Sequence, residues 1–416
     1  MTAVPFSHAR PVLADQYCDA LQGIGLVDVR SGLFLAAPRR TGKSTFLRTD
    51  LLPAFASRGW VSVYVDLWTD KAADPGRVIA TAIKSVLAQH AGAIAKLAKS
   101  TGLANVNLFG ALSLDVNALA LPANVTLADA LEALHIAAKM PVAIVIDEAQ
   151  HALSTQQGID AMFALKAARD HLNPGGTQAQ KLFLVFTGSN QDKLSRLVQK
   201  KTEPFFGCDI TKFPLLGKSF SDAYTVHTNA RLAPDNQFSP DAMWEAFQLV
   251  GQRPEKLRTL VGKIALDEGA ENLSEALRSG AQDLRKEIWH EMESEYNSLT
   301  ITQRAVLTRI IDQGKKYEPF TADSLAAYSV TAGKSIKAHD AQAALDALRK
   351  ANLVWKAVQG DYALEDETMA VWYNTQVKPN LPVASSATVS QSQAVPSQRP
   401  AAPAKSARPE KNKRKR

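Results

Sequence analysis

Cysteine is nearly missing from this chain. Two occur in 416 residues, Cys18 and Cys208, far apart and without the close spacing a zinc or iron–sulfur site requires. That excludes a disulfide scaffold, and two reduced thiols in a cytoplasmic protein are expected. Long apolar runs are missing too. None approaches the roughly 18 residues a membrane-spanning helix needs, so no membrane contact is expected. The N-terminal MTAVPFSHARP lacks a charged stretch followed by an apolar one, so no secretory leader is expected. Charge is uneven at the C-terminal end. Of the residues from 376 to 416, nine are Lys or Arg and one, Glu410, is acidic; this tail carries the whole of the formal +7, and the rest of the chain is close to neutral. The tail is also poor in large apolar residues and rich in Pro, Ala, Ser and Gln, so it cannot bury enough surface to order itself. Its end, KNKRKR, suits either phosphate contact by counterion release or a solubilising terminus.

What is present is a globular composition, 46% apolar, in a chain long enough for about two to three domains. Strands alternate with helices in the first half. Leu33–Ala36 reads as a strand, followed by a helix from Lys43 to about Ser57 that Pro53 kinks near its end. Trp60–Leu67 is β-branched and aromatic and reads as a second strand. Helical periodicity runs from Arg77 to about Ala98, a small hairpin is expected within Asn105–Leu121, and a helix covers Leu127–Lys139. Val142–Ile146 and Lys181–Thr187 are continuous apolar runs of the kind buried parallel strands show, with a helix over Asp160–His171 between them. This is the pattern of a parallel sheet with helices on both faces. Beyond Leu216 the strands stop. Ser219–Leu273 reads as helix. A last unit has helices near Ile301–Gln313, Ala322–Tyr328 and Asp340–Ala351, then short strands Leu353–Val358 and Asp361–Leu364 joined at Gln359-Gly360: a winged-helix layout.

Four segments carry chemistry. APRRTGKST, directly behind the first strand, has the layout of a phosphate-binding P-loop. Ala37, Pro38, Arg39, Arg40, Thr41, Gly42, Lys43, Ser44 and Thr45 would cradle phosphates, with Lys43 on the β- and γ-phosphates and the Ser44 hydroxyl on Mg²⁺. Ala37 replaces the usual opening glycine; it is harmless at negative φ and strained at positive φ. VAIVIDEAQ ends an apolar strand in Asp147, placed to hold Mg²⁺, and Glu148, placed to polarise an attacking water. LFLVFTGSN offers Ser189 or Asn190 as a sensor of the γ-phosphate. GQRPEKLR opens a helix after the core, and Arg253 there is placed to reach back to the phosphates.

In this order the motifs resemble the AAA+-like P-loop ATPases of the STAND and archaeal-type group. The resemblance rests on PRRTGKSTFLR with LLPA behind it, YVDLW, IDEAQ, the TGS after the fourth strand, Glu203-Pro204-Phe205-Phe206-Gly207, and YALEDETMAVWY. It covers roughly Phe34 to Tyr373. In that group Arg commonly follows the Pro-aromatic-aromatic-Gly segment; here the residue is Cys208, which leaves Arg196 and Lys200 as candidate substitutes for a trans-acting arginine. The resemblance implies an ATPase core over 29–216 after a lead-in over 1–28, a helical lid over 217–297, a winged helix over 298–375 and the basic tail. ATP with Mg²⁺ would bind between core and lid, and Glu148 and Lys43 would act in hydrolysis. Nucleotide state would be coupled to a winged helix that contacts DNA or a partner protein, and oligomerisation is compatible with this layout. The competing reading is a weakly or non-hydrolysing nucleotide-binding scaffold or DNA-binding regulator, which Ala37 and Cys208 favour.

Overall fold

Alternation along the strands divides their apolar side chains between two layers. In the computed structural model, which describes residues 6–25, 27–70, 72–100, 125–175, 179–266, 271–357 and 361–380, β1 (Leu33–Ala36), β2 (Val61–Asp66), β3 (Val142–Asp147), β4 (Leu182–Gly188) and β5 (Ile210–Lys212) form one parallel sheet. Its order is β2-β3-β4-β1-β5. Successive side chains point to opposite faces. Phe34, Ile144, Leu184 and Phe186 therefore pack into one layer with the helices Pro75–Gln89, Leu127–Ala138 and Gln156–Leu172. Leu33, Leu35, Val145 and Phe183 enter the other, with the helix Pro11–Gln22 and the helical run behind β1. Trp60 stacks on Phe183 there, ring centroids 3.9 Å apart. β3 and β4 are buried along their whole length, which is why both read as unbroken apolar runs.

The helix expected over Lys43–Ser57 is interrupted, not simply kinked. Lys43–Phe46 is α-helical, Leu47–Leu51 is π-helical, and Leu52–Ser57 resumes the α-helix. Pro53 lacks an N–H, and the wider turn ahead of it absorbs the missing bond. β5 is a strand the sequence reading did not include; it is three residues long, half exposed and at the edge of the sheet. The hairpin expected within Asn105–Leu121 lies outside the described residues, as does Gln359-Gly360 and all of the tail past 380.

Beyond the sheet, helices Lys218–Asn229, Pro240–Leu249, Pro254–Ala265 and Leu273–Ser298 share a core of Phe220, Phe247, Leu257 and Leu277. A C-terminal unit follows: helices Ile301–Gln313, Ala322–Ala332 and Ala338–Lys350, then β6 (Val354–Lys356) antiparallel to β7 (Tyr362–Leu364). The chain then runs helically from Thr368 to Asn380, where Lys378 pairs with Asp312 at 2.6 Å.

This C-terminal unit is fastened to the segment that follows β4. Arg349 Nε lies 2.6 Å from Asp192 Oδ1, and Asp192 is 1% exposed. Asn190 Nδ2 donates to Asn352 Oδ1 at 3.1 Å. The Glu365 carboxylate accepts the backbone N–H groups of Gln191 and Asp192. Arg349→Ala leaves a buried carboxylate without its nearest cation, and should cost about 3 kcal/mol in urea unfolding; a change within about 0.5 kcal/mol, the value of a surface pair, would show that Asp192 does not depend on it.

Burial pushes the Glu365 carboxyl up to about 7, against the two backbone N–H bonds that favour its ionised form. Such a group holds its proton more tightly folded than unfolded. Its contribution to stability is complete below about pH 4 and is lost as pH rises to about 7. The unfolding midpoint should fall across that window, and Glu365→Gln should flatten the profile. An unaltered profile in the variant would assign the pH dependence elsewhere.

Candidate active site

The loop joining β1 to Lys43 has its strain in an unexpected place. Ala37 does not have positive φ; its N–H donates to the Gly188 carbonyl at 3.1 Å and its methyl is buried among Leu33, Leu35 and Phe46. The conformation is one alanine adopts freely. Positive φ falls instead on Gly42, at 89°, and on Arg40, at 66°. Gly42 is free to take it, whereas Arg40 does so at a cost of about 1 kcal/mol. The Thr41 hydroxyl donates to the Pro38 carbonyl at 2.8 Å and closes the loop.

The parallel register brings the carboxyl ends of β1, β3 and β4 together, the edge where open α/β sheets bind ligands. Although β2 separates β1 from β3 in sequence, the strand between them in space is β4. Thr187 of β4 therefore lies between Lys43 and Asp147. Lys43 Nζ is 2.7 Å from Asp147 Oδ1, 2.9 Å from Thr187 Oγ1 and 3.3 Å from Glu148 Oε1. Thr187 Oγ1 also donates to Asp147. Ser44 Oγ donates to Asp147 Oδ2 at 2.6 Å, and the Tyr64 hydroxyl to the same oxygen at 3.2 Å. Burial by itself would raise the Asp147 carboxyl; the Lys43 charge and the hydrogen bonds from Lys43, Ser44 and Thr187 outweigh it and hold it below the usual carboxylate range. Burial and the Asp147 charge push the Tyr64 phenol up, so it remains a donor.

Glu148 turns out of β3 with φ 56°, a left-handed conformation rare for a side chain of this type. The turn aims its carboxylate across the site. Ser189 Oγ donates to Glu148 Oε2 at 2.7 Å, and Gln150 Nε2 donates to the same oxygen. Burial raises this carboxyl as well, but the Lys43 charge and the bonds from Ser189 and Gln150 bring it below its ordinary value, which keeps it ionised and acceptor-only.

These groups line one cavity of about 330 Å³, formed by the P-loop residues 38–45 with Asp66, Trp68, Asp147, Glu148 and Ser189. A second cavity of about 600 Å³ adjoins it between core and lid, lined by Arg40, Gly42, Thr45, Tyr224, Pro254, Glu255, Arg258 and Thr259. Together they offer a polar end and a broader, partly aromatic end. Ser44 Oγ and Asp147 Oδ2 are hard oxygen donors converging on the polar end, and no cluster of three or more His, Cys, Asp or Glu exists among the described residues. Two protein oxygens, the remainder supplied by phosphate and water, is the donor set Mg²⁺ takes.

Not every expected residue converges. Ser189 lines the cavity; Asn190 does not. Its side chain caps the helix Gln191–Ser195 by accepting from Lys193 N at 2.7 Å, and it meets Asn352. Arg253 starts the lid helix Pro254–Ala265 but donates to Asp366 at 2.9 Å, away from the P-loop. The lid cation lining the second cavity is Arg258, one turn further on. Arg196 lies 3.6 Å from Asp192, and Lys200 is exposed. Cys208 is buried at the amino end of β1, 3.8 Å from the Ser31 carbonyl, and burial raises its thiol pKa. Thr187, Tyr64, Gln150 and Arg258 were absent from the sequence reading. Only Thr187 had a visible signal, as the one polar residue closing the KLFLVFT run.

No family model and no curated protein sequence matches the chain. Its fold does have counterparts among solved structures. The ADP form of the ORC2 protein of Aeropyrum pernix superposes with a TM-score of 0.50 at 13% identity, covering 88% of this chain and 92% of that one. The chain has the AAA+ P-loop fold. Structures of the same Aeropyrum pernix protein as ADPNP-ADP complexes (TM-score 0.46, 15% identity, 88% and 91% covered) and of Cdc6p from Pyrobaculum aerophilum (0.36, 15%, 92% and 97%) align more loosely and add no weight. At these identities the likeness concerns the AAA+ fold alone. No helix among the described residues is long and apolar enough to cross a membrane.

Proposed function

We propose that this protein binds ATP with Mg²⁺ and hydrolyses it, as an AAA+-type switch or remodelling protein. The observation that carries the proposal is the convergence of Lys43, Ser44, Asp147 and Glu148 on one cavity beneath the P-loop. The phosphates occupy that cavity against the loop N–H groups and Lys43. The nucleoside occupies the adjoining cavity against Tyr224 and Arg258 of the lid. Ser44 and Asp147 would hold Mg²⁺, and the ion would supply charge stabilisation to the phosphate oxygens. Glu148 orients the attacking water and takes up its proton, and Ser189 fixes the carboxylate for that task. ATP turnover of the purified chain, compared with Lys43→Ala and Glu148→Gln, tests this; a chain that binds ATP and turns it over no faster than Glu148→Gln is no enzyme.

The C-terminal unit is the output module in this reading, a winged helix that contacts DNA or a partner protein. Its link to the site is the short segment from Ser189, which touches Glu148, to Asp192, which holds Arg349. The second reading, a scaffold that binds nucleotide and hydrolyses little, loses support from Ala37, whose backbone is unstrained. It keeps support from Cys208, which is buried and carries no cation to a neighbour.

A further inference from the structure

Several arginines around the site are spent in ion pairs. Arg40 pairs with Glu255 at 3.3 Å, Arg48 with Asp66 at 3.4 Å, Arg253 with Asp366 and Arg349 with Asp192. Arg39 is different. It lines the phosphate cavity, and among the described residues it makes no ion pair. Its guanidinium lies over the Trp68 ring, 4.6 Å from the centroid, and its Nε donates to Ser189 Oγ at 3.4 Å. That same hydroxyl donates to Glu148. Arg39 is thus held on the side of the cavity where Glu148 faces, by one aromatic face and one hydroxyl, with its charge uncancelled.

We propose that Arg39 is a catalytic arginine supplied in cis by the P-loop itself, neutralising charge on the transferring γ-phosphoryl group. The inference rests on the ATP-hydrolysis reading above. In the step it serves, the water oxygen bonds to the γ-phosphorus. The bond from that phosphorus to the bridging oxygen breaks, and its electron pair leaves with ADP. One water proton passes to Glu148 and then to solvent, so that ATP and water give ADP, phosphate and a proton. Arg39 changes no covalent bond. Its N–H groups oppose the negative charge on the equatorial oxygens, where a planar, permanently charged donor is most effective. Trp68 fixes the guanidinium plane without neutralising it, and Ser189 ties its position to that of Glu148.

The test uses the full chain and the variants Arg39→Ala, Arg39→Lys and Trp68→Phe. Arg39→Ala should lower single-turnover hydrolysis by about 10³-fold while ADP affinity is unchanged. The unsubstituted chain should bind ADP with aluminium fluoride more tightly than ADP, and Arg39→Ala should lose that preference; Arg39→Lys should recover part of it and Trp68→Phe should weaken it. Because the arginine acts in cis, turnover per molecule should not depend on protein concentration, and mixing Arg39→Ala with Glu148→Gln should restore nothing. Normal turnover in Arg39→Ala overturns the inference, as does recovery on mixing, which would place the arginine in trans. Loss of ADP binding in both Arg39→Ala and Arg39→Lys also overturns it, since the residue would then serve binding. Absence of turnover in the unsubstituted chain would sink the hydrolysis reading itself, a result distinct from any behaviour of the Arg39 variants.

Discussion

Lys43→Ala is expected to unfold at markedly lower urea as well as to lose nucleotide binding. Lys43 is 6% exposed and Asp147 1%, and their 2.7 Å contact is the only ion pair that Asp147 makes among the described residues. Removing one member of a buried pair costs about 3–5 kcal/mol, because the other charge stays desolvated. Hydrogen bonds from Ser44, Tyr64 and Thr187 remain, which favours the lower end of that range. The double substitution Lys43→Ala with Asp147→Asn should regain most of the loss, and the double-mutant cycle gives the coupling directly. The sign of the pH dependence follows from Asp147. Its pKa is lowered in the folded chain, so its contribution is present above about pH 4 and lost as pH falls through the folded value. Parent and variant should therefore converge in acid. Equal unfolding midpoints at neutral pH would show that the pair contributes nothing net.

Glu148→Gln should leave ATP bound and nearly unhydrolysed, with turnover down about 10³-fold, within the range that removal of a positioned proton acceptor gives. The volume is kept, and the amide oxygen can take the Oε2 place and still accept from Ser189 Oγ and Gln150 Nε2, but the carboxylate that takes up the water's proton is gone. One negative charge beside the γ-phosphate also goes, so ATP affinity should rise, not fall. Single-turnover hydrolysis with a separate ATP binding measurement checks both halves. Undiminished turnover would remove Glu148 from the chemistry and return attention to solvent.

The sheet and the order of motifs were legible because the strands that matter are buried on both faces. VAIVID and LFLVF cannot be read as amphipathic helices, and their polar ends mark the carboxyl edge. A polar residue at that edge, Ser189 or Asn190, was expected from the strand's end, but which of the two faces Glu148 was not legible. What sequence could not supply was lateral order. Nothing in the chain says that β4, and not β2, lies between β1 and β3, and the role of Thr187 depends on it. Side-chain direction at helix starts was equally hidden. Arg253 sits at the start of the helix that carries Arg258, yet an acid 113 residues away draws the first aside. The left-handed backbone at Glu148 and Arg40 has no signature in residue type, since neither is glycine or asparagine.

The Arg349–Asp192 contact makes one carboxylate an internal competitor for anything the C-terminal unit grips. A carboxylate held 2.6 Å from a guanidinium by the fold acts at an effective concentration of order millimolar or above, before a free partner arrives. A phosphate or acidic side chain offering a single contact at Arg349 loses that contest. A partner must bring several contacts, and the contest then runs both ways. On the proposed reading, whatever takes Arg349 removes one of the fastenings of the segment that begins at Ser189 and leaves those of Asn352 and Glu365; if that loosening reaches Ser189, a ligand that shifts Ser189 would by reciprocity change the partner's affinity by the same factor.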